Sequence, residues 1–177
     1  MQALFERWGI TITPEAVVAY WNGPGRFYHS LSHLDDLLRQ IREKEGLSAV
    51  DVDKLTLAAI FHDIIYDPQA SDNEEKSAEL LLKHCSYVND DIQDVVTIIL
   101  DTQTHKPSSA LSAMFSAMDM DIMNRSLDEL LVWEEGIRKE YQPFVENYLE
   151  KRLAFLEKYA ALYPKLHELI DVLTAKN

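Results

Sequence analysis

One cysteine, Cys85, occurs in 177 residues. A lone thiol excludes an intramolecular disulfide framework and suits a reducing compartment. Its neighbours Leu81, Leu82 and Tyr87 point to a packed thiol and not to a nucleophile. Basic residues are also scarce: 17 Lys and Arg stand against 30 Asp and Glu, for a formal charge of −13. That balance repels a nucleic-acid backbone and leaves no polybasic surface for anionic lipid, so neither a nucleic-acid polymer nor a membrane is expected as a partner. A small anionic substrate remains allowed where a cation or a few arginines reverse the sign inside a pocket. The opening MQALFERWGITITPE lacks the basic and apolar regions of a signal peptide, and no apolar run approaches membrane-spanning length. The expectation is a soluble, cytoplasmic protein. Long linkers, repeats and low-complexity tracts are missing too. With 47% hydrophobic residues, the chain is expected to form one domain over residues 1–177 around a single core.

Sustained alternation of apolar and polar residues is absent, while helical periodicity runs through almost every stretch, which predicts an all-α helical bundle. Thr13, Pro14 and Glu15 read as N-cap, first-turn proline and early acid of a helix that stops before the NGPG turn at 22–25. Ser30 can cap the next, with the stripe Leu34, Leu37, Leu38 and Ile41 running to Gly46. A third, from about Asp51 to near Pro68, puts Leu55, Ala58, Ala59 and His62 on one face. Ser71 with Glu74 is a capping-box signature for a fourth, through Leu81 and Leu82. Asn89 can cap a fifth through Ile99, and the KPSS stretch separates it from a sixth holding Leu111, Phe115, Met118 and Ile122. Ser126 and Glu129 repeat the capping box, Pro143 suits the first turn of a further helix, and Pro164 opens the last.

Three places in this pattern carry chemistry. In YHSLSHLDDLL (28–38), His29 and His33 are four apart at the head of an amphipathic helix, a spacing that puts two helical side chains on one face. In AIFHDIIYD, His62 falls on an apolar stripe with Asp63 beside it. Burying a carboxylate beside an imidazole costs several kcal/mol unless a counter-charge is present, and a divalent cation is one such partner. In SAMDMDIMN, Asp119 and Asp121 interrupt a third apolar helix. Histidines and carboxylates from separate helices make a borderline-to-hard site, suited to Mn, Fe, Ni, Co or Zn and not to an all-oxygen calcium cage.

A set of short motifs runs in order from Arg26 to Tyr141: RFYHSLSH, FHD, NEEKSA, TQTH, DMD and IRKEY. In this order the chain resembles a little-characterised subgroup of the HD-domain superfamily of metal-dependent phosphohydrolases. The resemblance implies an HD-like helical fold and a divalent metal, Mg included among the candidates, held by His33, His62, Asp63 and an aspartate near 120, with a possible second metal. Asp121, flanked by Met120 and Met123, fits the family pattern for the distant aspartate better than Asp119, although the Met-Asn that follows departs from it. His29 would sit beside the site as a supporting or substrate-contacting residue.

Other residues have two readings each. Asp67, one turn after Asp63, could handle the proton of a water or simply close a turn before Pro68. Glu74 could act on the same water or serve its capping box. His105 could contact a second metal or phosphate, or face solvent. Arg26 and Arg138 could hold phosphate in their planar forks, and Arg138 could equally pair with an acid such as Glu134. Tyr141 suits core and site alike. The implied activity is hydrolysis of a phosphate ester or anhydride in a small molecule, a nucleotide foremost. The alternatives are a two-iron oxygenase, for which His29, His84 and His105 leave room, and a nucleotide-sensing module without turnover.

Overall fold

The computed structural model describes residues 1–175. Its elements in order are α1 (Gln2–Trp8), α2 (Pro14–Trp21), α3 (Leu31–Glu43), α4 (Ala49–Phe61), α5 (Asn73–Lys83), α6 (Asp90–Thr102), α7 (Ala110–Asp119), a 3₁₀ helix (Met120–Asn124), α8 (Leu127–Tyr141), α9 (Tyr148–Ala160) and α10 (Leu166–Ala175). Among the described residues the only pairing of extended backbone is an isolated antiparallel bridge between Ile10 and Cys85. The protein is all-α, as its periodicity predicts. No described helix is long and apolar enough to cross a membrane.

The chain gathers into two compact units, one ending at Met118 and the other beginning at Asp119. In the first, α4 is the centre: it packs on α3, α5 and α6. Leu55, Leu57, Ala58, Ala59, Ile60 and Phe61 are all buried, so the last turn of α4 has no solvent face. Trp21 at the end of α2 is fully buried against it and donates its indole N–H to the Ile60 carbonyl at 2.9 Å. In the second unit α10 packs on α8 and α9, and the 3₁₀ helix packs on α8. Glu134 and Arg152 form a buried ion pair there at 2.6 Å, and the Tyr148 hydroxyl donates to Glu134 at 2.8 Å. Burial, and then the Glu134 charge, push the Tyr148 hydroxyl well above the usual phenol range.

Most starts read from sequence hold. The Thr13 hydroxyl caps Ala16 N–H, Asn89 caps Ile92 N–H, and Ser126 with Glu129 forms the full capping box. Others move. α1 is too short to display periodicity and was not anticipated. α4 starts earlier than Asp51, where the Ser48 hydroxyl caps Asp51 N–H, and it ends at Phe61, not near Pro68. Asp72, not Ser71, is the N-cap of α5, so Glu74 forms no capping box. Pro143 lies in the turn after α8, and α9 begins at Tyr148 behind Asn147, which has a left-handed backbone (φ 54°).

Candidate metal centre

The early end of α4 decides the geometry. His62 is its C-cap and Asp63 lies in the turn beyond, so the dipeptide sits where a helix leaves carbonyls without intrahelical partners. The His62 ring is 1% exposed and packs against Trp21 and Phe115, with centroids 5.7 and 5.4 Å away. Its Nδ1 lies 3.1 Å from the Ala59 carbonyl. A carbonyl only accepts, so Nδ1 carries the proton, and in the neutral ring Nε2 presents a lone pair.

That Nε2 lies 3.3 Å from His33 Nε2 and 3.1 Å from Asp63 Oδ2. His33, also buried, is in the first turn of α3. Asp119 completes a group: one ligand atom each of His33, His62 and Asp119 lies within 4.8 Å of the others. Asp119 is the last residue of α7, and the remainder of that helix belongs to the first unit with both histidines. Phe115, one turn earlier on α7, is the residue that packs on the His62 ring. The i, i+4 step therefore brings the Asp119 carboxylate to the ring that Phe115 braces.

A divalent cation fits this donor set. A neutral His62 would aim a lone pair at a carboxylate oxygen, and one proton on Nε2 could not serve both Asp63 and His33. A cation accepts from all of them, and 3.3 Å is close to the edge of about 3.4 Å between tetrahedral neighbours at ~2.1 Å from a shared centre. The residues that would hold it are His33, His62 and Asp119, with Asp63 adjoining through His62.

Asp121, the register favoured from sequence, is not in this group. Its carboxylate instead accepts from Arg125 Nε at 3.3 Å, one turn along. Two residues of helix turn the side chain by about 200°, so only one of the pair can face the histidines.

His29 is not on α3 as its spacing suggested, because it precedes the N-cap Ser30. It still lies beside His33, ring centroids 6.1 Å apart, and stacks on Tyr66 at 4.5 Å. Arg26 turns its guanidinium to the backbone: Nη1 donates to the His29 carbonyl at 2.8 Å, and Nη2 to those of Asp63 and Ile64 at 2.8 and 2.9 Å. Asp67 closes a turn by accepting from Gln69 N–H at 2.9 Å. Glu74 is half-buried, and burial pushes its carboxyl above the usual range against the opposing hydrogen bond from its own amide, with the Asp63 and Glu75 charges adding to the rise. His105 has a left-handed backbone (φ 52°) in the turn after α6. Arg138 is exposed and forks onto Glu135, not Glu134, with a further bond to Gln142. His84 Nδ1 contacts the Thr11 hydroxyl at 3.2 Å.

Sequence reasoning missed Asn73 and Ser77. The Asn73 side chain accepts from Asp67 N–H and donates to the Asp67 carbonyl, at 3.0 and 2.9 Å. The Ser77 hydroxyl accepts from Ile65 N–H at 3.1 Å and reaches the Ile65 carbonyl at 3.4 Å. The two residues are one turn apart on α5, both buried, and together they pin the turn that follows Asp63. The signal was there in NEEKSA: two uncharged polar residues at i and i+4, where α5 faces the core.

Comparison with known proteins agrees with the geometry. The HD domain family model matches residues 26–134, more than half of the chain. The protein belongs to the HD-domain family. Neither the curated proteins nor the solved structures contain a match.

Proposed function

We propose that the protein is a metal-dependent phosphohydrolase that cleaves a phosphate ester or anhydride bond in a small phosphorylated molecule, a nucleotide foremost. The observation that carries this reading is the convergence of the two imidazole Nε2 atoms, 3.3 Å apart, with the Asp119 carboxylate nearby and that of Asp63 against His62, at the buried end of α4. His33, His62 and Asp119 would hold the cation, with Asp63 beside them through His62. When bound, such a cation supplies Lewis acidity toward a phosphoryl oxygen and lowers the pKa of a water molecule. Glu74 suits the proton's acceptor, since it is a half-buried carboxylate close enough to feel the charges of both Asp63 and His62. Asp67 is the weaker choice, as its carboxylate already accepts from Gln69 N–H. His29, held flat against Tyr66 beside His33, suits a contact with the substrate.

Metal analysis of protein purified without chelator, followed by a panel of phosphatase and phosphodiesterase substrates, tests the proposal. The expected result is a stoichiometric divalent cation and turnover that chelator removes. Bound iron with oxygen consumption would replace it with the oxygenase reading, and tight nucleotide binding without product would replace it with a sensor.

A further inference from the structure

The turn that carries the His-Asp dipeptide and the bend that leads into α3 are distant in sequence, yet the two imidazoles must meet within a few ångströms. One side chain ties the segments together. The Arg26 fork spans the carbonyls of His29, Asp63 and Ile64, with all three bonds between 2.8 and 2.9 Å. Its guanidinium carbon lies 5.3 Å from the centroid of Trp21 and 5.2 Å from that of Tyr66. Those rings are themselves parts of the site, as Trp21 packs on both His33 and His62 while Tyr66 stacks on His29.

We propose that Arg26 is a positioning residue that sets the separation of His33 and His62 by clamping the backbone on both sides of the centre, and that it does not bind the substrate's phosphate. The inference rests on the metal-dependent reading above. Its physical basis is the turn just beyond α4, whose Asp63 and Ile64 carbonyls need donors that the helix does not supply, and where the nearby helix C-terminus favours a positive group. A planar fork reaches several carbonyls at once, whereas an ammonium is a single point of charge on a flexible stem. Loss of the fork frees the Asp63 carbonyl, and the peptide that orients the Asp63 carboxylate toward His62 Nε2 can then rotate.

The test uses the full chain with Arg26→Lys, which keeps the charge, and Arg26→Met, which keeps an apolar stem over the two rings. Calorimetric titration with Mn(II) should show at least tenfold weaker binding in both variants, the size usual for loss of a group that orients metal ligands, with the larger loss in Arg26→Met. In steady-state assays kcat should fall while KM stays within about twofold of wild type. In the metal-free proteins, long-range proton–nitrogen correlations of the His33 and His62 imidazoles should shift in Arg26→Lys while backbone amide signals of α6 stay in place. A raised KM with unchanged Mn(II) affinity would make Arg26 a substrate contact and overturn the proposal. Unshifted imidazole signals would overturn it as well. Should wild type bind no Mn(II), the phosphohydrolase reading fails, and the imidazole signals alone decide the role of Arg26.

Discussion

Replacing Asp119 and Asp121 separately by Asn discriminates the grouping described here from its alternative register. Both changes are isosteric, so neither leaves a cavity, and both sites are partly open to solvent. A cation that binds only the folded chain at one hundred times its Kd adds about 2.7 kcal/mol of stability. For a chain of this length each kcal/mol moves the melting temperature by roughly 2–4 °C, which gives an upward shift of about 5–11 °C for wild type. A tenfold weaker site at the same cation concentration gains only about 1.4 kcal/mol, half the shift, and a lost site gains none. Asp119→Asn should therefore show half the wild-type shift or less. Asp121→Asn, which loses only its partly exposed contact with Arg125, should keep nearly all of it. Thermal melts across a Mn(II) or Zn(II) titration, with chelator as the zero point, provide the measurement. A full shift in Asp119→Asn combined with a lost shift in Asp121→Asn would refute the grouping, and equal full shifts in both would place the cation elsewhere.

Three further outcomes are expected. Ser77→Ala removes the hydroxyl that pairs with Ile65 N–H and should cost ~1–3 kcal/mol in chemical denaturation, together with weaker cation binding, because an amide in the turn loses its acceptor; unchanged stability would remove Ser77 from the support of the site. Glu134→Gln leaves Arg152 buried without its counter-charge and should destabilise the protein by ~3–5 kcal/mol, while Glu134→Leu with Arg152→Met should recover much of that loss in the same assay. Burial raises the Asp101 carboxyl, but hydrogen bonds from the Ser112 and Ser108 side chains and the Ser108 amide outweigh it and hold the pKa below the usual carboxylate range. A depressed folded-state pKa contributes stability above the ordinary carboxylate pKa that is lost as pH falls through the folded value, so Asp101→Asn should flatten the acid limb of the stability curve and leave its shape unchanged near neutrality.

The helices were legible wherever a stripe was long or a cap was chemical. α6 shows both features, with Asn89 at its cap and Ile92, Val95 and Ile99 inward. The end of α4 was not legible, because IIYD continues the apolar pattern past the last helical residue and only tertiary contacts from Asn73, Ser77 and Arg26 make the chain turn there. The meeting of His33 with His62 could be expected from the residues alone, since imidazoles beside an acid on apolar faces demand a partner. The choice between Asp119 and Asp121 depends on where α7 tightens into a 3₁₀ helix, and a DMD triplet among methionines contains no signal for that position. For Arg26, sequence reveals the planar fork but not the three backbone carbonyls that it reaches.

The way the turn after α4 is held also fixes how it can move. The His62 amide belongs to the helix, donating to the Ala58 carbonyl at 2.8 Å, and Ile64 N–H closes back on Phe61. For the Ile65 and Asp67 amides the acceptors are side chains of α5, Ser77 and Asn73 respectively. Protection against hydrogen exchange should therefore step down abruptly between residues 62 and 65. Amides up to His62 exchange only when the core opens, while those of Ile65 and Asp67 exchange whenever two rotamers on α5 swing away, a far smaller and faster event. His62 is thus mounted on the core-bound end of α4, and the backbone beyond it can open without disturbing that helix.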